Sequence, residues 1–164
     1  RKIRMGFIGA GSMGFEVPAA LGAQVGRPDK VVWSVAGDGG FQMTMSELAT
    51  LVENKLPVKF AILNNGSLGM VRQWQQAFYE QSYVATVFNG NPDFVKLAEA
   101  FGAFGIRVTD KSQVASAIAQ AMEYDGPAVV DFLVEQEENV YPFIPSGTSV
   151  AEMIEEPKPE RVNK

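Results

Sequence analysis

The chain has 164 residues, no cysteine, no histidine and a net charge of −5. Those absences exclude disulfides, a thiol nucleophile, cysteine zinc sites, the Ser-His-Asp triad and histidine zinc hydrolases from these residues. The acidic balance, with no long basic run, argues against nucleic acid as the main partner, and no apolar run nears the roughly 20 residues that cross a bilayer. The basic start, Arg1-Lys2-Ile3-Arg4, lacks the apolar core of a signal peptide. A cysteine-free chain suits a reducing compartment, the cytoplasm or, in a eukaryote, an organelle. With 46% hydrophobic and 20% charged residues, the composition fits one globular domain with a sizeable core.

In chain order, Met5-Gly6-Phe7-Ile8 leads into the turn Gly9-Ala10-Gly11-Ser12-Met13-Gly14. A helix is predicted over 15–25, where Ala19, Ala20 and Ala23 allow close packing and Pro18 falls in the first turn, which tolerates it. Gly26-Arg27-Pro28-Asp29 stops that helix. The nearly all-apolar 31–36 has the pattern of a strand buried on both faces of a parallel sheet. After Gly37-Asp38-Gly39-Gly40, Thr44-Met45-Ser46-Glu47 fits a capping box, and Leu48, Leu51 and Val52 recur at helical spacing. A strand over 58–63 ends in Asn64-Asn65-Gly66-Ser67.

The spacing predicts a helix over 68–79 with Met70, Trp74 and Phe78 on one face, then an irregular loop over 81–90. Asn91-Pro92-Asp93 reads as a helix start, with Asn91 as cap and Asp93 as the first-turn acid, running to about Phe101. A short strand over 104–108 follows. An amphipathic helix over 111–124 points Val114, Ile118, Ala121 and Met122 inward, and a last buried strand covers 128–134. From Glu135 the prolines at 142, 145, 157 and 159 and the lost periodicity suggest an extended arm, mobile from about Glu155. The expected organisation is an α/β domain over 1–134 and an arm over 135–164. Strands alternating with helices indicate a three-layer fold, a mostly parallel sheet with helices on both faces, whose ligands bind beyond the carboxyl ends of the strands.

Two turns compete to hold a phosphate. Gly9 to Gly14 satisfies G-x-G-x-x-G, the dinucleotide fingerprint, and would make this an NAD(P)-binding dehydrogenase domain. That reading also needs an acid about 20 positions on, at the end of the second strand, for the ribose; Asp29 lies before that strand, the strand itself ends in Gly37-Asp38-Gly39, and the first strand would be short. The other candidate pairs Asp38 with Asn65. Magnesium takes oxygen ligands, commonly a carboxylate or two plus phosphate oxygens. Asp38 and Asn65 offer a carboxylate and an amide oxygen at two strand ends, and the glycines let a diphosphate approach the backbone.

The flanking residues narrow this further. Gly-Asp-Gly followed at this distance by Asn-Asn resembles the thiamine diphosphate signature. Gly11-Ser12-Met13-Gly14-Phe15, Gly69-Met70-Val71-Arg72-Gln73-Trp74, Asn91-Pro92-Asp93-Phe94 and Glu138-Asn139-Val140-Tyr141-Pro142 resemble the C-terminal domain of acetohydroxyacid (acetolactate) synthase catalytic subunits. The resemblance implies a thiamine diphosphate-binding fold that serves pyruvate decarboxylation and condensation with a second 2-keto acid, pyruvate or 2-ketobutyrate, in branched-chain amino-acid biosynthesis. It implies magnesium on Asp38, Asn65 and the Ser67 carbonyl. Gly37, Gly39, Gly40, Leu68, Gly69, Met70 and the backbone after Asn65 would face the cofactor, with Met13 packed on it and the Gly11 carbonyl near its amine. Met70 and Trp74 would line the acceptor site, with residues 141–153 folding over it.

The family's activating glutamate and most of its FAD contacts belong to domains outside this chain, and neither Glu16 nor Glu47 has a motif behind it as a substitute. The resemblance therefore implies a half-site, inactive or nearly so alone, that self-associates or needs the remaining domains. Another thiamine diphosphate-dependent 2-keto acid decarboxylase is the alternative within this chemistry.

Overall fold

The structure is a computed structural model that describes residues 4–8 and 12–157. Strand β1 (Arg4–Ile8) is followed by α1 (Glu16–Gly26), β2 (Val31–Gly37), α2 (Asp38–Thr44), α3 (Glu47–Glu53) and β3 (Lys59–Asn64). Then come α4 (Gly69–Phe78), α5 (Phe94–Phe101), β4 (Phe104–Val108), α6 (Val114–Glu123) and β5 (Ala128–Leu133). The five strands form one parallel sheet in the order β1-β2-β3-β5-β4.

Side-chain parity divides the strands between two helical layers. On one face Val17 and Ala20 of α1, Phe41 of α2, Leu48 and Leu51 of α3 and Phe94 and Ala98 of α5 bury Val32, Phe60, Ile62 and Val129. Phe41 sits at the centre, edge-on to Phe60 at 5.7 Å and to Phe94 at 5.8 Å. Each such ring contributes about 1.5–3 kcal/mol by leaving water, so this aromatic trio anchors the layer. On the other face Ala117 and Ala121 of α6 cover Val108, Ala128 and Val130. This layer is thinner: Trp33 and Val35 of β2 stay half-buried, and Leu63 of β3 is 46% exposed. At the amino end of β3 the buried Lys59 donates from Nζ to the carbonyls of Tyr124 (2.8 Å) and Gly126 (2.7 Å), clamping the turn into β5. Burial pushes that ammonium down to about 8.

The layered α/β architecture matches the expectation, and several local readings change. The helix after the glycine turn begins at Asp38 itself, so Asp38, Gly39 and Gly40 form its first turn. The capping box at Thr44–Glu47 does not form. Ser46 precedes α3 without a side-chain cap, and the Thr44 hydroxyl donates to the Gly14 carbonyl at 3.1 Å. Helix α5 is capped by Asp93, which accepts from the N–H groups of Val95 and Lys96; Asn91 is left for other contacts. The stretch predicted as one helix over 111–124 opens as a 3-10 turn, Lys111–Gln113, before α6. Ala117 takes the inward position there, and Ile118 is 39% exposed. Gly9, Ala10, Gly11 and residues 158–164 of the expected tail lie outside the described residues.

Candidate cofactor site at the strand ends

Strands β2 and β3 are neighbours in register, Gly37 opposite Leu63, so the residues that follow them emerge side by side. Asp38 is 1% exposed. Its Oδ1 accepts from the Gly39 N–H at 3.0 Å; its Oδ2 accepts from the Gly66 N–H at 2.9 Å and from Asn91 Nδ2 at 2.6 Å. Burial pushes the Asp38 carboxyl above its usual range, against the pull of those three donors. None of the ion pairs among the described residues includes it. A buried carboxylate held by neutral donors alone is poised for a cation.

The adjacent amides divide the work. Asn64 is tied into the protein: Nδ2 donates to Asp131 at 3.0 Å, and Oδ1 accepts from Asn91 at 2.9 Å. Asn65 is less committed, its Oδ1 accepting only the Ser67 N–H at 3.1 Å among the described residues. Ser67 is buried, with its hydroxyl unpartnered among the described residues. The loop is pinned by Leu68 N–H to the Thr86 carbonyl (2.8 Å) and Phe88 N–H to the Gly66 carbonyl (2.9 Å). Among the described residues no cluster of three acidic side chains could hold a metal, so a cation on Asp38 would complete its shell with amide, carbonyl, phosphate or water oxygens.

The two glycines of the first turn of α2 are closely surrounded. A Cβ at Gly39 would lie 2.7 Å from the Leu68 side chain, 3.2 Å from Met13 Cε and 3.3 Å from Phe88; one at Gly40 would lie 2.9 Å from Glu16 Oε1. Met13 and Leu68 thus converge over Gly39. Glu16 is wholly buried beneath Gly40, with neither carboxyl oxygen partnered among the described residues, while Glu47 is half-buried at the start of α3. Helix α4 opens beside Asn65 without a side-chain cap, leaving first-turn N–H groups of Gly69 and Met70 to an outside acceptor. Of the residues singled out in the sequence, Met13, Gly37, Asp38, Gly39, Gly40, Asn65, Ser67, Leu68, Gly69 and Met70 meet around this corner; Gly11 lies outside the described residues.

Trp74 stands one turn further along α4. Met70, Trp74 and Phe78 are each about half exposed, while the same helix buries Arg72 and Gln73. Arg72 pairs with Glu137 at 2.9 Å and lies over the Tyr83 ring. Gln73 exchanges two hydrogen bonds with the backbone of Val140, at 2.9 and 3.0 Å. The arm continues through Phe143, edge-on to Phe78, and returns as Ile154 bridges to Phe143. A cleft of about 270 Å³ remains between Trp74, Phe78, Tyr79 and residues 143–146.

Asn91, Asp131 and Arg107 also join this corner and are not marked as such in the sequence; the signal at Asn91, the Asn91-Pro92-Asp93 run, reads sufficiently as a helix cap.

Residues 3–132 match the family described as thiamine pyrophosphate enzyme, C-terminal TPP binding domain, and the chain belongs to that family. That match covers both glycine turns, and the nicotinamide reading of Gly9 to Gly14 is set aside. Among its relatives, the acetolactate synthase isozyme 2 large subunit of Escherichia coli (strain K12) is 46% identical over 90% of this chain. The acetolactate synthase large subunits of Porphyra purpurea and Corynebacterium glutamicum are 47% and 49% identical over 93% and 86% of it. The chain spans only 27%, 26% and 23% of those three proteins.

Proposed function

We propose that this chain is the thiamine diphosphate- and magnesium-binding portion of an acetolactate synthase. The supporting observation is the buried Asp38 carboxylate, which lacks a cationic partner among the described residues and stands beside the lightly bonded Asn65 amide and the tightly walled Gly39 and Gly40. Asp38 Oδ1, Asn65 Oδ1 and the Ser67 carbonyl would hold Mg2+. The N–H groups of Gly40, Gly69 and Met70 and the buried Ser67 hydroxyl would take the diphosphate oxygens, as phosphate sites commonly do, with Gly39 beside them leaving room for the cofactor. Gly37 ends the strand that delivers them, Met13 and Leu68 would pack against the cofactor body, and the Gly11 carbonyl would take its amine. Thiamine diphosphate supplies the electron sink and the internal base for decarboxylating a 2-keto acid, so no histidine is required.

The chain's own contribution is to fix the diphosphate, press an apolar wall on the cofactor and keep water from its reactive side. Met70 and Trp74 would line the place of the second keto acid, pyruvate or 2-ketobutyrate, with residues 141–153 as a closing arm over it. The rest of the enzyme, FAD contacts and activating acid included, would come from segments like those that make the relatives more than three times as long as this chain. The half-exposed Trp33, Leu63, Met70 and Trp74 suit contact with those segments or a second copy. A soluble cytoplasmic or organellar enzyme fits, and no helix among the described residues is long and apolar enough to cross a membrane.

Calorimetric titration with thiamine diphosphate tests this reading. Binding should require Mg2+ and weaken at least about 100-fold in Asp38→Asn, more than the roughly 10- to 100-fold lost when only a group that orients a metal ligand is removed. Tight NADH binding with no response to thiamine diphosphate would overturn it.

A further inference from the structure

We propose that Asn91 is a positioning residue that confines Asp38 to cation coordination through a single oxygen and so tilts the site toward a small octahedral cation. The inference rests on the reading of Asp38 as a metal ligand. A carboxylate offers about four lone-pair positions. At Asp38 the Gly66 N–H and Asn91 Nδ2 occupy both on Oδ2, and the Gly39 N–H takes one on Oδ1. One position remains, on Oδ1.

The orientation of the Asn91 amide follows from its neighbours. The Asp38 carboxylate and Asn64 Oδ1 both accept, so the group between them must be NH2. From the far side Gln42 Nε2 donates to Asn91 Oδ1 at 3.2 Å, which fixes the amide at its other end. Asn91 is also braced through the chain. Two residues on, Asp93 accepts from Arg107 at 2.7 Å. Arg107 donates to the fully buried Asp131 at 2.9 Å, and Asp131 accepts from Asn64, which returns to Asn91. The loop 91–93 therefore closes a ring of polar contacts across the ends of β3, β5 and β4, and Asp38 leans on its near side.

Two-oxygen carboxylate coordination is common for Ca2+, which takes six to eight ligands, whereas Mg2+ needs six in near-ideal octahedral geometry. A donor parked on Oδ2 obstructs the first mode and leaves the second intact. Asn91→Ala should raise the Mg2+ concentration that half-saturates thiamine diphosphate binding about 10- to 100-fold, the usual effect of removing a group that orients a ligand. The Ca2+ requirement should rise less or fall, so the Ca2+/Mg2+ ratio drops several-fold.

The experiment is calorimetry of thiamine diphosphate binding to the whole chain, titrated separately with MgCl2 and CaCl2, for the wild type, Asn91→Ala and Gln42→Met. Gln42→Met leaves Asn91 in place but loosens its amide, and should move the ratio the same way by a smaller factor. If Asn91→Ala does not fold by circular dichroism, Gln42→Met alone decides. An unchanged ratio in the folded variants, with both cation requirements raised equally or not at all, overturns the proposal while leaving the Asp38 site standing. A wild type that binds no thiamine diphosphate with either cation removes both.

Discussion

Helix α5 turns Phe94 and Ala98 into the core, where both are fully buried. Helix α4 also has apolar residues at helical spacing, yet it buries Arg72 and Gln73 and leaves Met70, Val71, Trp74 and Phe78 44–51% exposed. A stripe of that kind normally seeks the core. What differs is the support. Helix α5 lies on β4 and β5, so hydrophobic burial holds it. Helix α4 is held from its polar side, by Gln73 on Val140, by Arg72 on Glu137, and by Gln75, which receives the Thr86 hydroxyl at 2.7 Å. A helix anchored by its polar residues keeps its apolar face available. That arrangement makes sense where the face meets a cofactor, a substrate or another protein segment.

Substitutions on the two helices should therefore behave oppositely. The largest stability effect belongs to α5: Phe94→Ala should cost about 3–5 kcal/mol by urea unfolding, through lost burial and a cavity beside Phe41. Next is Gln73→Leu, which removes two hydrogen bonds to Val140. A loss of about 1–3 kcal/mol is expected, together with faster proteolysis within 135–157.

Lys59 shows the same polar anchoring at the opposite end of the sheet. Its folded value of about 8 lies below the ordinary 10.5, so from pH 8 to 10.5 the unfolded chain binds more protons. Unfolding free energy should rise across that window, by up to about 1.4 kcal/mol per pH unit, and Lys59→Met should flatten the slope. The two carbonyl contacts need only two N–H donors, so the neutral amine keeps the clamp. The smallest effect is expected at Trp74→Ala on α4, within about 0.5 kcal/mol. A loss there as large as at Phe94 would mean that α4 is ordinary core.

The contrast also marks what the sequence could convey. Elements set by apolar runs and periodicity were legible, as was the meeting of Asp38 and Asn65 at two neighbouring strand ends, because an apolar run followed by a glycine or amide turn marks where a buried strand stops. The direction in which α4 points its stripe was not legible, since Met70, Trp74 and Phe78 have the same spacing whether they meet a sheet or a ligand. Asn91 escaped for a related reason. Its local reading as a cap was sufficient, and only tertiary contact shows that Asp93 caps the helix while Asn91 reaches Asp38 and Asn64. Thr44 failed likewise: a hydroxyl expected to serve its own helix was claimed by the Gly14 carbonyl.

The pairing of Gly37 with Leu63 has one more consequence. It sets the two chain ends that carry Asp38 and Asn65 one strand spacing apart, about 4.8 Å, with Asp38 one residue and Asn65 two residues past the paired positions. A one-residue slip of β3 against β2 would change that offset and turn Phe60 and Ile62 out of the core, because such a shift reverses every side chain on a strand. The relative placement of the two proposed ligands is thereby tied to the register that keeps the aromatic layer buried.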